Sequence, residues 1–143
     1  MDRKIVIIDD NAAELRLCKE ALTNIPHNRP VVTFTDAMSA YTYIHEQADK
    51  IFVIICDVKM PHMNGPELLE RINENPHLKF LCTPFIFLTN SNSIKDIEHA
   101  YALSAQGYFQ KPMHIDALSE IFRSILDYWN KCRIPRERVS YDD

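Results

Sequence analysis

Short runs of continuous hydrophobicity alternate along the chain with longer stretches in which apolar residues recur every three or four positions. Lys4-Ile5-Val6-Ile7-Ile8 is unbroken until Asp9-Asp10-Asn11, the pattern of a strand covered on both faces. Leu15, Cys18, Leu22 and Ile25 then repeat at helical spacing, with Asn11 and Glu14 placed to cap the start and Pro26 to end it. A second β-rich run at 30–34 precedes a helix capped by Thr35 or Asp36, with Met38, Tyr41 and Ile44 as its apolar face. The run 51–56 is the most hydrophobic and stops abruptly at Asp57, which predicts a central strand. After a loop to Gly65, Pro66 suits a first helical turn, where its missing N–H costs nothing, and Leu68, Leu69 and Ile72 face inward until Pro76. Residues 73–83 read as an extended connection. A fourth strand at 84–88 ends at Thr89, and Ser91 or Ser93 caps a helix with Ile94, Ile97, Tyr101 and Ser104 on one face. A short strand at 107–110 ends at Lys111-Pro112, and the stripe Ile115, Leu118, Phe122, Ile125, Trp129 predicts a long final helix.

Strands alternating with helices over this length need right-handed crossovers, which predicts an α/β fold with a doubly wound parallel sheet and helices on both faces. Periodicity does not give the strand order; the flavodoxin-like order 2-1-3-4-5 is one of the common choices and is the one adopted here, with a ligand site at the carboxyl ends beside strands one and three. The domain is expected over residues 1–130, followed by a charged, flexible tail at 131–143.

Composition narrows the function. A hydrophobic share of 46% and a charged share of 25% fit one ordinary globular domain. With 16 basic against 20 acidic residues there is no basic surface for phosphate backbones, so direct nucleic-acid binding is not expected. The apolar runs are far shorter than a bilayer span and no signal-peptide pattern opens the chain, so a cytoplasmic location without a membrane partner is expected. Cys18, Cys56, Cys82 and Cys132 form no Cys-x-x-Cys pair, and the default is reduced, mostly buried thiols. Only Gly65 and Gly107 are glycines, which excludes Walker and dinucleotide phosphate loops; no Gly-x-Ser-x-Gly elbow occurs either. The six histidines have no metal-ligand spacing and read as surface residues.

The predicted strand ends carry Asp9 and Asp10, Asp57, Thr89 and Lys111, which the sheet would gather on one rim. Carboxylates brought together repel unless a cation or proton neutralises them, and hard oxygen donors without histidine suit Mg²⁺. Magnesium commonly completes its shell with phosphate oxygens, so the trio with a hydroxyl and a lysine points to phosphoryl chemistry. Asp57 is then the candidate nucleophile, Thr89 a hydrogen-bond donor to the transferred group, Lys111 a point charge on it, and Asp9 and Asp10 metal ligands. Singly, Asp9-Asp10 would read as capping carboxylates, Asp57 as a solvated loop residue and Thr89 as an ordinary strand end.

Asp9-Asp10, the run Asp57-Val58-Lys59-Met60-Pro61-His62-Met63-Asn64-Gly65, Leu88-Thr89 and Gly107-Tyr108-Phe109-Gln110-Lys111-Pro112 together resemble the receiver domain of two-component response regulators, of the single-domain chemotaxis type, over residues 3 to 130. The resemblance implies that Asp57 accepts phosphate from a histidine kinase or phosphotransfer protein. It also implies Mg²⁺ held by Asp10, Asp57 and the Lys59 backbone carbonyl, and through water by Asp9. Thr89 and Tyr108 would form a switch pair remodelling the surface around the helix after Thr89, the fifth strand and the final helix. A cis peptide before Pro112 is also implied. Such a protein catalyses only its own phosphorylation and dephosphorylation and is not a classical enzyme. With no apolar pattern for a second domain after residue 130, a stand-alone receiver acting on a downstream protein partner is expected.

In the family that the chain resembles, the residue after the threonine is usually small, where Asn90 stands here, and Lys59 and Ser91 occupy positions whose side chains flank the path of attacking water there. The resemblance with these departures leads to the expectation of a longer-lived phosphoryl group. Two other readings compete. An aspartyl-phosphate phosphatase would want a second acid two residues after the nucleophile, where Lys59 stands. A degenerate receiver binding a partner constitutively is opposed by the intact set Asp9, Asp10, Asp57, Thr89 and Lys111. A homodimer through the switch surface, or through the final helix with Trp129, is allowed but not required.

Overall fold

Five strands form one parallel sheet in the order β2-β1-β3-β4-β5, where β1 is Lys4–Ile8, β2 Val31–Phe34, β3 Ile51–Cys56, β4 Phe85–Thr89 and β5 Tyr108–Gln110. The computed structural model describes residues 2–135. Six α-helices connect and flank the strands: α1 Ala12–Thr23, α2 Ala37–Gln47, α3 Gly65–Glu74, α4 Pro76–Leu81, α5 Ile94–Ala102 and α6 Ile115–Lys131. The alternating pattern predicts the doubly wound parallel α/β sheet, and the observed order is the flavodoxin-like one.

The apolar strands are continuous because the sheet feeds two cores. Successive strand residues point to opposite faces. Val6 and Ile8 of β1 and Phe85 and Phe87 of β4 pack with α2, α3 and α4, while Ile5, Ile7, Ile86 and Leu88 pack with α1 and α6. β3 is buried at every position between β1 and β4, as its hydrophobicity predicts. The edge strands β2 and β5 are only partly buried.

Local chemistry fixes the helix starts. Asn11 accepts from the N–H groups of Ala13 and Glu14, Asp36 from Ser39, and Ser93 from Asp96. Asn64 and Glu67 form a reciprocal capping box, with Pro66 in the first turn of α3.

The structure corrects several expectations. Residues 73–83 are no extended connection: Asn75 ends α3 and caps α4, accepting from His77 and Leu78, and Pro76 occupies its first turn. Leu78 and Leu81 then enter the core, so the proline that stops one helix starts the next. In α2 the buried face is Ala37, Ala40 and Ile44, while Met38 is exposed, because small residues let the helix approach the sheet. In α5 only Ala100 is buried, and Ile94 and Tyr101 face outward at 68% and 52% exposure. Among the cysteines, Cys18 and Cys56 are buried, Cys82 is exposed and Cys132 half-buried. The peptide before Pro112 is trans, since no cis bond occurs among the described residues. The final stripe behaves as predicted: Leu118, Phe122 and Ile125 are buried, with Ile115 and Trp129 against the same core. Of the predicted tail, residues 136–143 lie outside the described residues. Among the described residues no helix is long and apolar enough to cross a membrane.

Candidate functional site

Parallel pairing in register brings the acidic residues out together. Ile8 lies opposite Cys56, and the Asp57 N–H donates to the Ile8 carbonyl at 2.9 Å, so β1 and β3 end side by side. The Asp9 N–H donates to the Phe34 carbonyl at 3.0 Å, and Asp9 Oδ1 accepts the Asn11 N–H at 2.9 Å, fixing the carboxylate. Asp9 is buried, Asp57 half-buried and Asp10 exposed, and one carboxylate oxygen from each lies within 4.8 Å of the others. Asp57 Oδ1 accepts the Val58 N–H at 2.7 Å.

The other half of the rim comes from β4 and β5. Thr89 lies opposite Gln110, and the Lys111 N–H donates to the Thr89 carbonyl at 2.7 Å. The Lys111 ammonium thereby reaches Asp9 Oδ2 at 2.6 Å, Asp57 Oδ2 at 3.2 Å and, more distantly, Glu14 Oε2 at 3.8 Å. Glu14 is the member of this cluster that sequence reasoning missed, having read it only as a cap partner. Its signal is its position in the first helical turn after Asp9-Asp10.

Burial raises the Asp9 carboxyl above its ordinary value, with the Asp57 charge adding to the effect, although the hydrogen bonds from Lys111 and Asn11 pull the other way. Burial alone would depress Lys111, but the hydrogen bond it donates to Asp9 and the charges of Asp57 and Asp9 outweigh it, so its ammonium form is favoured. Burial, with the Asp9 charge, pushes the neighbouring Cys18 thiol up to about 12, which leaves it unreactive.

Three close carboxylates against one lysine leave an excess of negative charge, and their donors are all hard oxygens. This donor set fits a hard divalent cation. An open cleft of about 490 Å³ lies beside Asp57, lined also by Lys59, Thr89, Asn90, Ser91, Asn92 and Ser93. Thr89 is buried, while Lys59 and Asn90 are exposed on the cleft. Gly65 passes close against the backbone carbonyl of Asp57, with its own N–H donating to the Val58 carbonyl at 2.9 Å.

Tyr108 stands apart from the acidic cluster. Its ring lies 6.0 Å from that of Phe87, and its hydroxyl donates to the Ser91 carbonyl at 2.9 Å. Burial raises this hydroxyl above its ordinary value, with the hydrogen bond to Ser91 opposing. Trp129 is elsewhere, packed on the core of α1 and α6 beside Tyr128. Five of the six histidines are exposed and His27 is half-buried.

Comparison with known proteins matches this architecture. The family model for the response regulator receiver domain covers residues 5–123. The response regulator Rcp1 of Synechocystis is 25% identical over 130 residues, covering 87% of each chain. A chemotaxis protein CheY homologue of Campylobacter jejuni is 26% identical, covering 86% of this chain and 92% of its own. The crystal structure of the phosphorylated cyanobacterial phytochrome response regulator RcpA superposes with a TM-score of 0.82 at 31% identity, over 94% of this chain and 99% of that one.

Proposed function

Since the chain belongs to the response regulator receiver family, we propose that Asp57 is its phosphoryl acceptor and that the transfer switches a protein-binding surface. Receiver domains of two-component systems interact with kinases and downstream partners. The donor here would be a histidine kinase or a phosphotransfer protein, and the setting the cytoplasm.

A carboxylate oxygen of Asp57 attacks the donor's phosphorus; the new P–O bond forms as the donor's P–N bond breaks, and the electron pair leaves with the imidazole. The Val58 N–H holds Asp57 Oδ1, which leaves Oδ2, now facing Lys111, as the oxygen beside the incoming group. Lys111 then supplies positive charge to the phosphoryl oxygens, and Thr89 supplies a hydroxyl from the next strand end. Asp9, Asp10, Asp57 and the Lys59 carbonyl are the residues that would hold Mg²⁺. When bound, the ion neutralises charge on the acids and the phosphoryl oxygens. RcpA, 31% identical to this chain, is described in its phosphorylated form, which supports the reading.

The observation that carries the proposal is the bridging of Asp9 and Asp57 by one buried ammonium beside an exposed third acid. Its test is intact mass after incubation with acetyl phosphate, with and without Mg²⁺, for wild type and Asp57→Asn. One Mg²⁺-dependent phosphoryl adduct on wild type alone is expected. No adduct under conditions that label another receiver would favour a constitutive binding module.

A further inference from the structure

Ser91 joins three other residues. Its N–H lies 3.4 Å from Thr89 Oγ1, its carbonyl accepts the Tyr108 hydroxyl at 2.9 Å, and its hydroxyl donates to Asp96 Oδ2 at 2.5 Å. Asp96 lies in the first turn of α5, where its own N–H donates to Ser93 Oγ at 3.5 Å. The Ser93 N–H in turn lies 3.4 Å from Ser91 Oγ.

The segment holding Ser91 has little apolar anchorage. Residues 90–93 are Asn-Ser-Asn-Ser, and the first residue of α5, Ile94, is 68% exposed. Polar bonds therefore set its shape, and the strongest kind among them is the charge-assisted one from the Ser91 hydroxyl to a carboxylate.

We propose that Asp96 is a positioning residue for the phosphoryl site: by holding the Ser91 hydroxyl, it fixes the loop that presents the Ser91 carbonyl to Tyr108 and the Ser91 N–H to Thr89. The effect on phosphoryl transfer rests on the acceptor reading of Asp57, whereas the effect on Tyr108 does not. The rival account is that Asp96 only places a favourable negative charge at a helix amino terminus. That account predicts a less stable α5 and an unmoved Tyr108.

The two are separated with protein carrying fluorotyrosine, followed by fluorine NMR without any phosphodonor, the Tyr108 line being assigned with Tyr108→Phe. Ser91→Ala removes the hydroxyl and leaves the helix-terminal charge alone; Asp96→Ala removes the acceptor. Each is expected to shift the Tyr108 line, and the double variant to shift it no further, since one interaction is lost in all three. Ser91→Thr, which keeps a hydroxyl, is expected to restore the wild-type line. With acetyl phosphate and Mg²⁺, the initial labelling rate of Asp57 is expected to fall by the same factor in both single variants and no further in the double. An unchanged Tyr108 line in both single variants, or additive shifts, would overturn the proposal. If wild type takes no phosphoryl group, the acceptor reading falls and the donor-free spectra still decide the role of Asp96.

Discussion

A Cβ built on Gly65 would lie 2.2 Å from the carbonyl oxygen of Asp57, closer than any real side chain approaches, and 2.7 Å from Phe87 Cε1 on its other side. The glycine is required for space, and its backbone φ is not positive. Gly65→Ala must push either the strand end carrying Asp57 or the buried Phe87 ring, and overpacking of this kind costs about 1–3 kcal/mol. Denaturant unfolding should report that loss. Acetyl phosphate labelling at a temperature where the variant stays folded should also slow, because the displaced atom belongs to Asp57, the proposed acceptor. Wild-type stability together with wild-type labelling would mean that the loop yields without moving Asp57.

Lys111 is the only ammonium described within 4 Å of Asp9 or Asp57. Lys111→Met leaves both carboxylates without it, and removing one partner of a buried pair typically costs about 3–5 kcal/mol. Mg²⁺ should recover part of this. At a hundred times its Kd a ligand adds about 2.7 kcal/mol to the folded state, and this gain should appear in wild type and shrink in Asp10→Ala. Denaturant melts across a Mg²⁺ titration would measure both. Equal responses in Asp10→Ala and wild type would remove Asp10 from the cation site.

Asp36 gives a pH dependence far from this site. The Ser39 N–H holds its carboxyl below the ordinary value of 3.8. A depressed folded-state value means stability that is present above the unfolded value and lost as pH falls through the folded one. Asp36→Ala is therefore expected to cost about 1 kcal/mol near neutral pH, with the gap to wild type closing below pH 3.8. Asp36→Asn keeps the acceptor and should lose only the pH dependence. A gap that stays constant down to acid pH would show that the charge on the cap is immaterial.

Periodicity identifies which residues share a helix face, but it does not say which of two overlapping faces turns inward. In α6 a single wide stripe is apolar, and Phe122 is 1% exposed. In α5, Ile94 and Tyr101 share one stripe, yet Ala100 on a neighbouring one meets the core. Phe122→Ala should therefore cost about 3–5 kcal/mol, whereas Ile94→Ser should stay within about 0.5 kcal/mol. Thermal or denaturant unfolding of the pair checks this, and a large loss for Ile94→Ser would overturn the outward placement.

The acids were legible for a different reason. Asp9, Asp57 and Thr89 each end an apolar run and Lys111 follows a short β-rich one, and a parallel sheet must collect such ends on one rim. Glu14 at the lysine and the Ser91–Asp96 bond depend on side-chain rotamers, and α4 hides behind a proline that both stops and starts a helix. None of these carries a periodic signal.

The two halves of the rim are also anchored unequally. Asp9 and Asp57 extend from β1 and β3, whose apolar residues are almost wholly enclosed, while Lys111 follows β5, a partly buried edge strand of three residues. Edges with few enclosed contacts open first in amide hydrogen exchange. The Lys111 amide, donated to the Thr89 carbonyl, should accordingly exchange faster than the Asp57 amide donated to Ile8. The counter-ion could then leave and return through local opening of β5 while the acids stay with the slowest-exchanging part of the sheet.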